Sequence, residues 1–244
     1  MEEVIARVVY DVDVAAWTYG PANAVEYRPQ VEICDHNPKP PTIRCKQRRS
    51  NPRGRNTGCL DHSARRFQFW KGWLERAVPH IRGPRVLEVS FGTGYLLTRY
   101  AAHYETHGVD YNQKMVEIAR KNLARAGVTA RLRQGNVESL PYEDESFDSV
   151  VNTMAFSGYP DGAKAMSDMR RVLKEGGRLV LIDVNYPSDG NRLGTMLVNF
   201  WKLTGDVIRD MGELFGEFGF VYTEEEIGGY GSVHLYIATK GVGG

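Results

Sequence analysis

A chain of 244 residues is long enough for one full α/β domain with a packed core, or for two small ones at most. Its formal net charge of +1 gives no overall field for nucleic acid, and no apolar run reaches the ~18 residues of a membrane-spanning helix. Three cysteines argue against a complete disulfide framework, and the start Met1-Glu2-Glu3-Val4 lacks a secretion signal, so a reduced, cytoplasmic setting is expected.

Residues 1–27 are rich in aromatics, with Tyr10, Trp17, Tyr19 and Tyr27. Residues 28–61 are irregular and basic, with five prolines and eight Lys or Arg against three acids. A stretch this long without periodicity is a functional loop, a lid or disorder. We therefore take 1–61 as an N-terminal lid or irregular basic segment and 62–244 as the folded domain. Apolar spacing predicts a helix over 62–79, capped by Asp61 and stopped near Pro79. A strand at 85–90 follows, then a helix to about His103 and a second strand at 105–109. Asn112 is placed to cap the next helix, whose Met115, Ile118, Ala119, Leu123 and Ala126 make one stripe and which Gly127 ends. Strands at about 129–134 and 147–152 follow, then a helix at 161–174 that ends at Gly176-Gly177, then a strand at 178–184. Residues 192–217 read as two or more helical segments, and 220–223 and 232–238 as two strands around a glycine-rich turn. This alternation predicts a parallel sheet with helices on both faces.

The most informative stretch is Val86-Leu87-Glu88-Val89-Ser90-Phe91-Gly92-Thr93-Gly94-Tyr95-Leu96-Leu97. It reads as a buried strand ending in an acid, a tight Gly-x-Gly turn and a helix start. Open α/β sheets bind ligands beyond the carboxyl ends of their strands, where the strand order reverses. A dinucleotide fingerprint needs a third glycine where this chain has Leu97. Asp110 ends the second predicted strand, sixteen residues after Gly94, where an acid can accept hydrogen bonds from both ribose hydroxyls. Ribose recognition without the pyrophosphate glycine points to an unphosphorylated nucleoside. S-adenosylmethionine fits, with its carboxylate near the helix N-terminus and the N–H groups of the turn.

The chain resembles the class I S-adenosylmethionine-dependent methyltransferases, in the style of the small-molecule branch that includes quinone-biosynthesis C-methyltransferases. Four segments carry the resemblance, over about residues 62–185. They are the glycine turn, Gly108-Val109-Asp110-Tyr111-Asn112, Gly135-Asn136-Val137-Glu138-Ser139-Leu140-Pro141-Tyr142 with Ser146-Phe147-Asp148-Ser149-Val150-Val151, and Arg171-Val172-Leu173-Lys174-Glu175-Gly176-Gly177-Arg178-Leu179-Val180-Leu181. The resemblance implies a Rossmann-like, doubly wound seven-stranded α/β sheet, mostly parallel, with an antiparallel C-terminal edge strand. It implies Glu88 around the methionine amino end and Ser90 where the family has glycine. Gly92 and Gly94 let the backbone approach the ligand. Asp110 takes the ribose, Tyr111 covers one face of the adenine, and Asn136 and the Val137 N–H meet its edge. Asn152 lies near the sulfonium.

The expected reaction is methyl transfer by in-line displacement to a small, apolar or aromatic molecule. It needs alignment more than a catalytic group, so no catalytic base is assigned. Acceptor-pocket candidates are Tyr10, Trp17, Tyr19, Tyr159, Asn185, Tyr186, and Phe200 and Trp201 of the helical insert at about 190–217. The basic segment leaves open an anionic acceptor, an RNA methyltransferase or a solvated connector, and a non-catalytic cofactor-binding scaffold is a further alternative. Nucleic acid is not the expected partner. Cys34, His36, Cys45, Cys59 and His62 offer zinc-type ligands, but their spacing is not that of a standard finger, and we expect no metal.

Overall fold

The computed structural model describes residues 70–241. The lid candidates Tyr10, Trp17 and Tyr19, the basic 28–61 segment and the three cysteines lie outside the described residues.

Seven strands form one sheet: β1 (Arg85–Val89), β2 (Glu105–Asp110), β3 (Arg131–Gln134), β4 (Phe147–Thr153), β5 (Leu173–Val184), β6 (Phe220–Gly228) and β7 (Val233–Lys240). Their order is β3-β2-β1-β4-β5-β7-β6. The first five run parallel, and β7 runs antiparallel to both neighbours. The antiparallel strand thus sits one place in from the edge, with β6 outside it. Sequence order reverses between β1 and β4, and this switch point positions the site.

Buried runs on the central strands explain the doubly covered sheet. β1 reads Val-Leu-Glu-Val with all four residues buried, and Val150 and Val151 of β4 are both fully buried. Alternate residues feed two cores. Val86, Val151, Val180 and Ile182 pack with helices α1 (Leu97–Tyr100) and α2 (Gln113–Ala126). Leu87, Val89, Val150, Leu179 and Leu181 pack with α3 (Gly162–Val172) and α5 (Met211–Glu217). Helix α4 (Arg192–Leu203) buries Gly194 and Val198.

Local signals fix most boundaries. Asn112 Oδ1 accepts from Lys114 N and caps α2, and Gly127 ends it with φ 69°. Two expected boundaries need correction. Of the helix expected over 62–79, residues 62–69 lie outside the described residues; 70–75 are helical, and a 3₁₀ segment, Val78–His80, that contains Pro79 follows instead of a helix stop. The helix expected to reach residue 174 ends at Val172, and β5 begins at Leu173. The ladder jumps from Phe147↔Leu173 to Ser149↔Arg178, so residues 174–177 form an irregular detour inside the strand. Gly176 turns it at φ 68°, and a Cβ at Gly177 would meet Lys174 O at 2.7 Å. The two glycines shape a bulge rather than a helix stop.

Candidate functional site

The turn after β1 is held by the acid that ends β2. Asp110 Oδ2 accepts from Gly92 N at 2.8 Å, and Oδ1 accepts from Asn112 N at 2.8 Å. Asp110 is 2% exposed, and burial raises its carboxyl above the usual range against these two backbone bonds. A carboxylate has about four lone-pair sites, so two are left for ligand hydroxyls.

The two glycines of the turn do different work. Both have positive φ, 53° at Gly92 and 71° at Gly94. A Cβ at Gly92 would meet nothing within 4 Å, so this residue faces open space. A Cβ at Gly94 would lie 2.8 Å from the Ala119 Cβ of α2. Gly94 therefore also serves close helix packing, whereas the side of Gly92 on which a Cβ would sit is open.

Ser90 stands at φ 53°, and Met154, just past β4, at φ 54°. Both are non-glycine residues in the left-handed region, at the ends of the two strands that flank the switch point. Ser90 Oγ lies 2.8 Å from Tyr159 Oη. Asn152 Nδ2 donates to the same phenol oxygen. Tyr159 and Asn152 are fully buried, and Asn152 Oδ1 has no hydrogen-bond partner. Ser90, Asn152 and Tyr159 are thereby brought into one network across β1 and β4.

Glu88 is buried at 1% exposure and accepts from Tyr100 Oη at 2.8 Å. Burial pushes its carboxyl up to about 8, against the lowering hydrogen bond from Tyr100, with nearby Asp110 adding to the rise. An acid at a strand end is thus an interior acid here, and Tyr100 is a site residue that sequence reasoning missed.

Asn136 and Val137 lie in the turn after β3. Asn136 Oδ1 accepts from Glu138 N at 3.0 Å, so part of its acceptor capacity is spent locally, while the Val137 side chain joins the core. Tyr111, beside Asp110, is 55% exposed. The turn 136–144 is pinned from α3. Arg171 donates to Leu140 O, Tyr142 O, Asp144 and Asp168.

Beyond β5 lies a cavity of about 420 Å³ whose lining includes Asn185, Tyr186, Arg209, Met211, Tyr222 and Glu224. Asn185 and Tyr186 were expected at an acceptor pocket. Phe200 and Trp201 do not line this cavity, and the Trp201 ring meets Trp70 at 6.2 Å. Tyr159 lies between cavity and turn, its phenol on Ser90 and its carbonyl accepting from Arg209 Nη2. Arg209 also donates to Phe156 O at 3.1 Å, and burial lowers its pKa. Nothing in the local sequence around Arg209 signalled this role, because its partners lie about fifty residues earlier.

Asp183 and Ser157 complete the region. Ser157 N donates to Asp183 Oδ2 at 2.9 Å, and Val184 N donates to Asp183 Oδ1 at 2.7 Å. Burial pushes the Asp183 carboxyl up to about 6 against these bonds. Among the described residues no group of three or more His, Cys, Asp or Glu could hold a metal ion, and no helix is long and apolar enough to cross a membrane.

Residues 87–181 match the methyltransferase-domain family. The ubiquinone/menaquinone biosynthesis C-methyltransferase UbiE of Geobacter sulfurreducens is 33% identical over 162 residues, 63% of this chain and 62% of its own. The demethylmenaquinone methyltransferase of Thermotoga maritima is 31% identical over 138 residues, 55% of this chain and 58% of its own. The crystal structure of the YcgJ protein from Bacillus subtilis superposes with TM-score 0.59 at 21% identity, covering 72% of this chain and all of that one. The sheet order and the glycine turn agree with these matches: over residues 87–181 the chain is similar to methyltransferase domains, and its fold is that of the superposed structure. It spans about six-tenths of the length of the curated relatives it matches.

Proposed function

We propose that the protein binds S-adenosylmethionine at the switch point and transfers its methyl group to a small, apolar or aromatic molecule. The observation that carries this reading is Asp110, which ties the Gly92 N–H to the end of β2 and keeps acceptor capacity for a ribose. Two further features fit the cofactor. Gly92 faces open space, and the buried Asn152 Oδ1 lacks a donor that an ammonium group can supply. When bound, the cofactor supplies a methyl group on a sulfonium, whose departure needs no covalent enzyme intermediate. The protein's part is to align the acceptor and exclude water.

On this reading Asp110 holds the ribose, Tyr111 covers the adenine, and Asn136 and the Val137 N–H meet its edge. Ser90 and Asn152 meet the amino-acid end, and Glu88 backs it from the interior. Asn185 and Tyr186 belong to the acceptor side, with Tyr159 between the two. The names of the relatives place their acceptors in quinone biosynthesis, which supports an apolar ring-bearing acceptor for this chain. The residues before 62 are proposed to form a lid segment and the rest the domain, with the helical insert at about 190–217 shaping the pocket. We place the protein in the cytoplasm.

Incubation with methyl-labelled S-adenosylmethionine and a panel of hydroquinone, phenol and amine acceptors tests this reading. Label should appear on a ring-bearing acceptor. Intact cofactor binding with no transfer to any acceptor would favour a non-catalytic role.

A further inference from the structure

A serine hydroxyl carries one proton. Ser157 Oγ lies 2.8 Å from Asp183 Oδ1 and 2.9 Å from Asp206 Oδ1. With both carboxylates ionised, the hydroxyl donates to one and turns a lone pair toward the other. One added proton, on either carboxyl, makes both contacts hydrogen bonds. The cluster is therefore built to take up a single proton.

Its place in the fold gives that proton a source. Asp183 lies two residues beyond Leu181, which pairs with Asn152. Alternation puts Asp183 and Asn152 on the same face, beside the strand end at the switch point. On that face the Asn152 Oδ1 is buried without a partner, the acceptor read above as meeting the cofactor's ammonium group, so the reacting centre lies on the face that holds Asp183. Asp183 is 3% exposed, whereas Asp206 is partly exposed and sits in the segment that leads to the cavity residue Arg209. The charged and titratable groups around the pair are Arg209, which feels the Asp183 charge, His234, which pairs with Asp183 from β7, and Tyr236. His234 Nδ1 is itself bonded to Glu224.

We propose that Asp183, Ser157 and Asp206 form a proton-accepting chain that takes the proton a methyl acceptor gives up and passes it toward solvent. The inference rests on the methyl-transfer reading above. As the acceptor atom bonds to the methyl carbon, the carbon–sulfur electron pair returns to sulfur. The acceptor's X–H electron pair stays on X, and its proton goes to Asp183. Ser157 passes a proton on to Asp206, from which water removes it. Burial raises both carboxyls, which favours uptake near neutral pH.

The test follows the aspartate carboxyls by carbon NMR in the full chain saturated with S-adenosylhomocysteine, and the colour of added 4-nitrophenol, a phenol that yellows on losing its proton. Wild type should show Asp183 and Asp206 taking up one proton in a joint step near pH 6. It should also bind 4-nitrophenol as the phenolate. Asp206→Asn supplies an N–H donor to Ser157 in place of the proton. It should lower the Asp183 midpoint and cut the phenolate fraction about tenfold. Ser157→Ala should uncouple the two carboxyls. Separate titration of both in the ordinary carboxylate range, no binding of the phenol, or an unchanged phenolate fraction in Asp206→Asn would overturn the proton chain. Failure of wild type to bind S-adenosylhomocysteine would instead remove the methyl-transfer reading on which it rests.

Discussion

At the scale of single residues, Glu88 is the group most changed by its surroundings. Its folded-state carboxyl is raised to about 8, above the unfolded value. Its contribution to stability is therefore full below the ordinary glutamate range and is lost as pH rises through about 8. Glu88→Gln keeps a partner for Tyr100 and has no charge to bury. Thermal unfolding from about pH 5 to about pH 9 should show wild type losing a few kcal/mol that the variant retains. Parallel profiles would show that Glu88 is not held neutral. Asp110→Ala should weaken S-adenosylhomocysteine binding by about 1–3 kcal/mol, read by calorimetry, because charged hydrogen bonds are lost and the Gly92 N–H is freed. Asp110 was legible in the sequence because a strand end and a glycine turn fix its spacing. Tyr100, Ser157, Asp206 and Arg209 were not, because each acts through a contact made only by the tertiary fold. The burial of Glu88 was hidden for the same reason.

Among elements, the turn after β1 separates two glycine functions that look alike in sequence. Gly94→Ala places a methyl group against Ala119 at positive φ and should destabilise the fold by about 1–3 kcal/mol. Gly92→Ala meets nothing in the protein, so its stability loss should be smaller, while its loss of ligand affinity should be the larger of the two. Equal unfolding losses in both variants would refute this division. The pin from α3 makes a second expectation. Arg171 satisfies two carbonyls of the turn that follows Asn136 and Val137. Arg171→Ala should lose about 1–2 kcal/mol of stability and weaken nucleoside binding without touching the ligand. Unchanged affinity would show that this turn holds its shape alone. Helix α2 was legible from Asn112 and Gly127, since capping is local chemistry, but its stripe was only partly so: Ala119 and Leu123 are buried, Ile118 and Ala126 are exposed, and Val116 is buried instead. The start of β5 was not, because Gly176-Gly177 reads as a stop signal, and only pairing with β4 reveals a bulge.

For the whole molecule, the strand order places the reversal between β1 and β4 and brings Ser90, Gly92, Asp110 and Asn152 to one end of the sheet. The parallel half followed from alternation of short apolar runs with amphipathic segments. The insertion of β7 between β5 and β6 did not, because strand order at an antiparallel edge depends on pairings that no local pattern encodes. The central claim is that this end of the sheet holds an unphosphorylated adenosyl group. Calorimetric titration of the wild-type chain with S-adenosylhomocysteine, run beside NADH, tests it most directly. We expect saturable one-to-one binding of S-adenosylhomocysteine and none of NADH; binding of NADH with no heat from S-adenosylhomocysteine would contradict the claim.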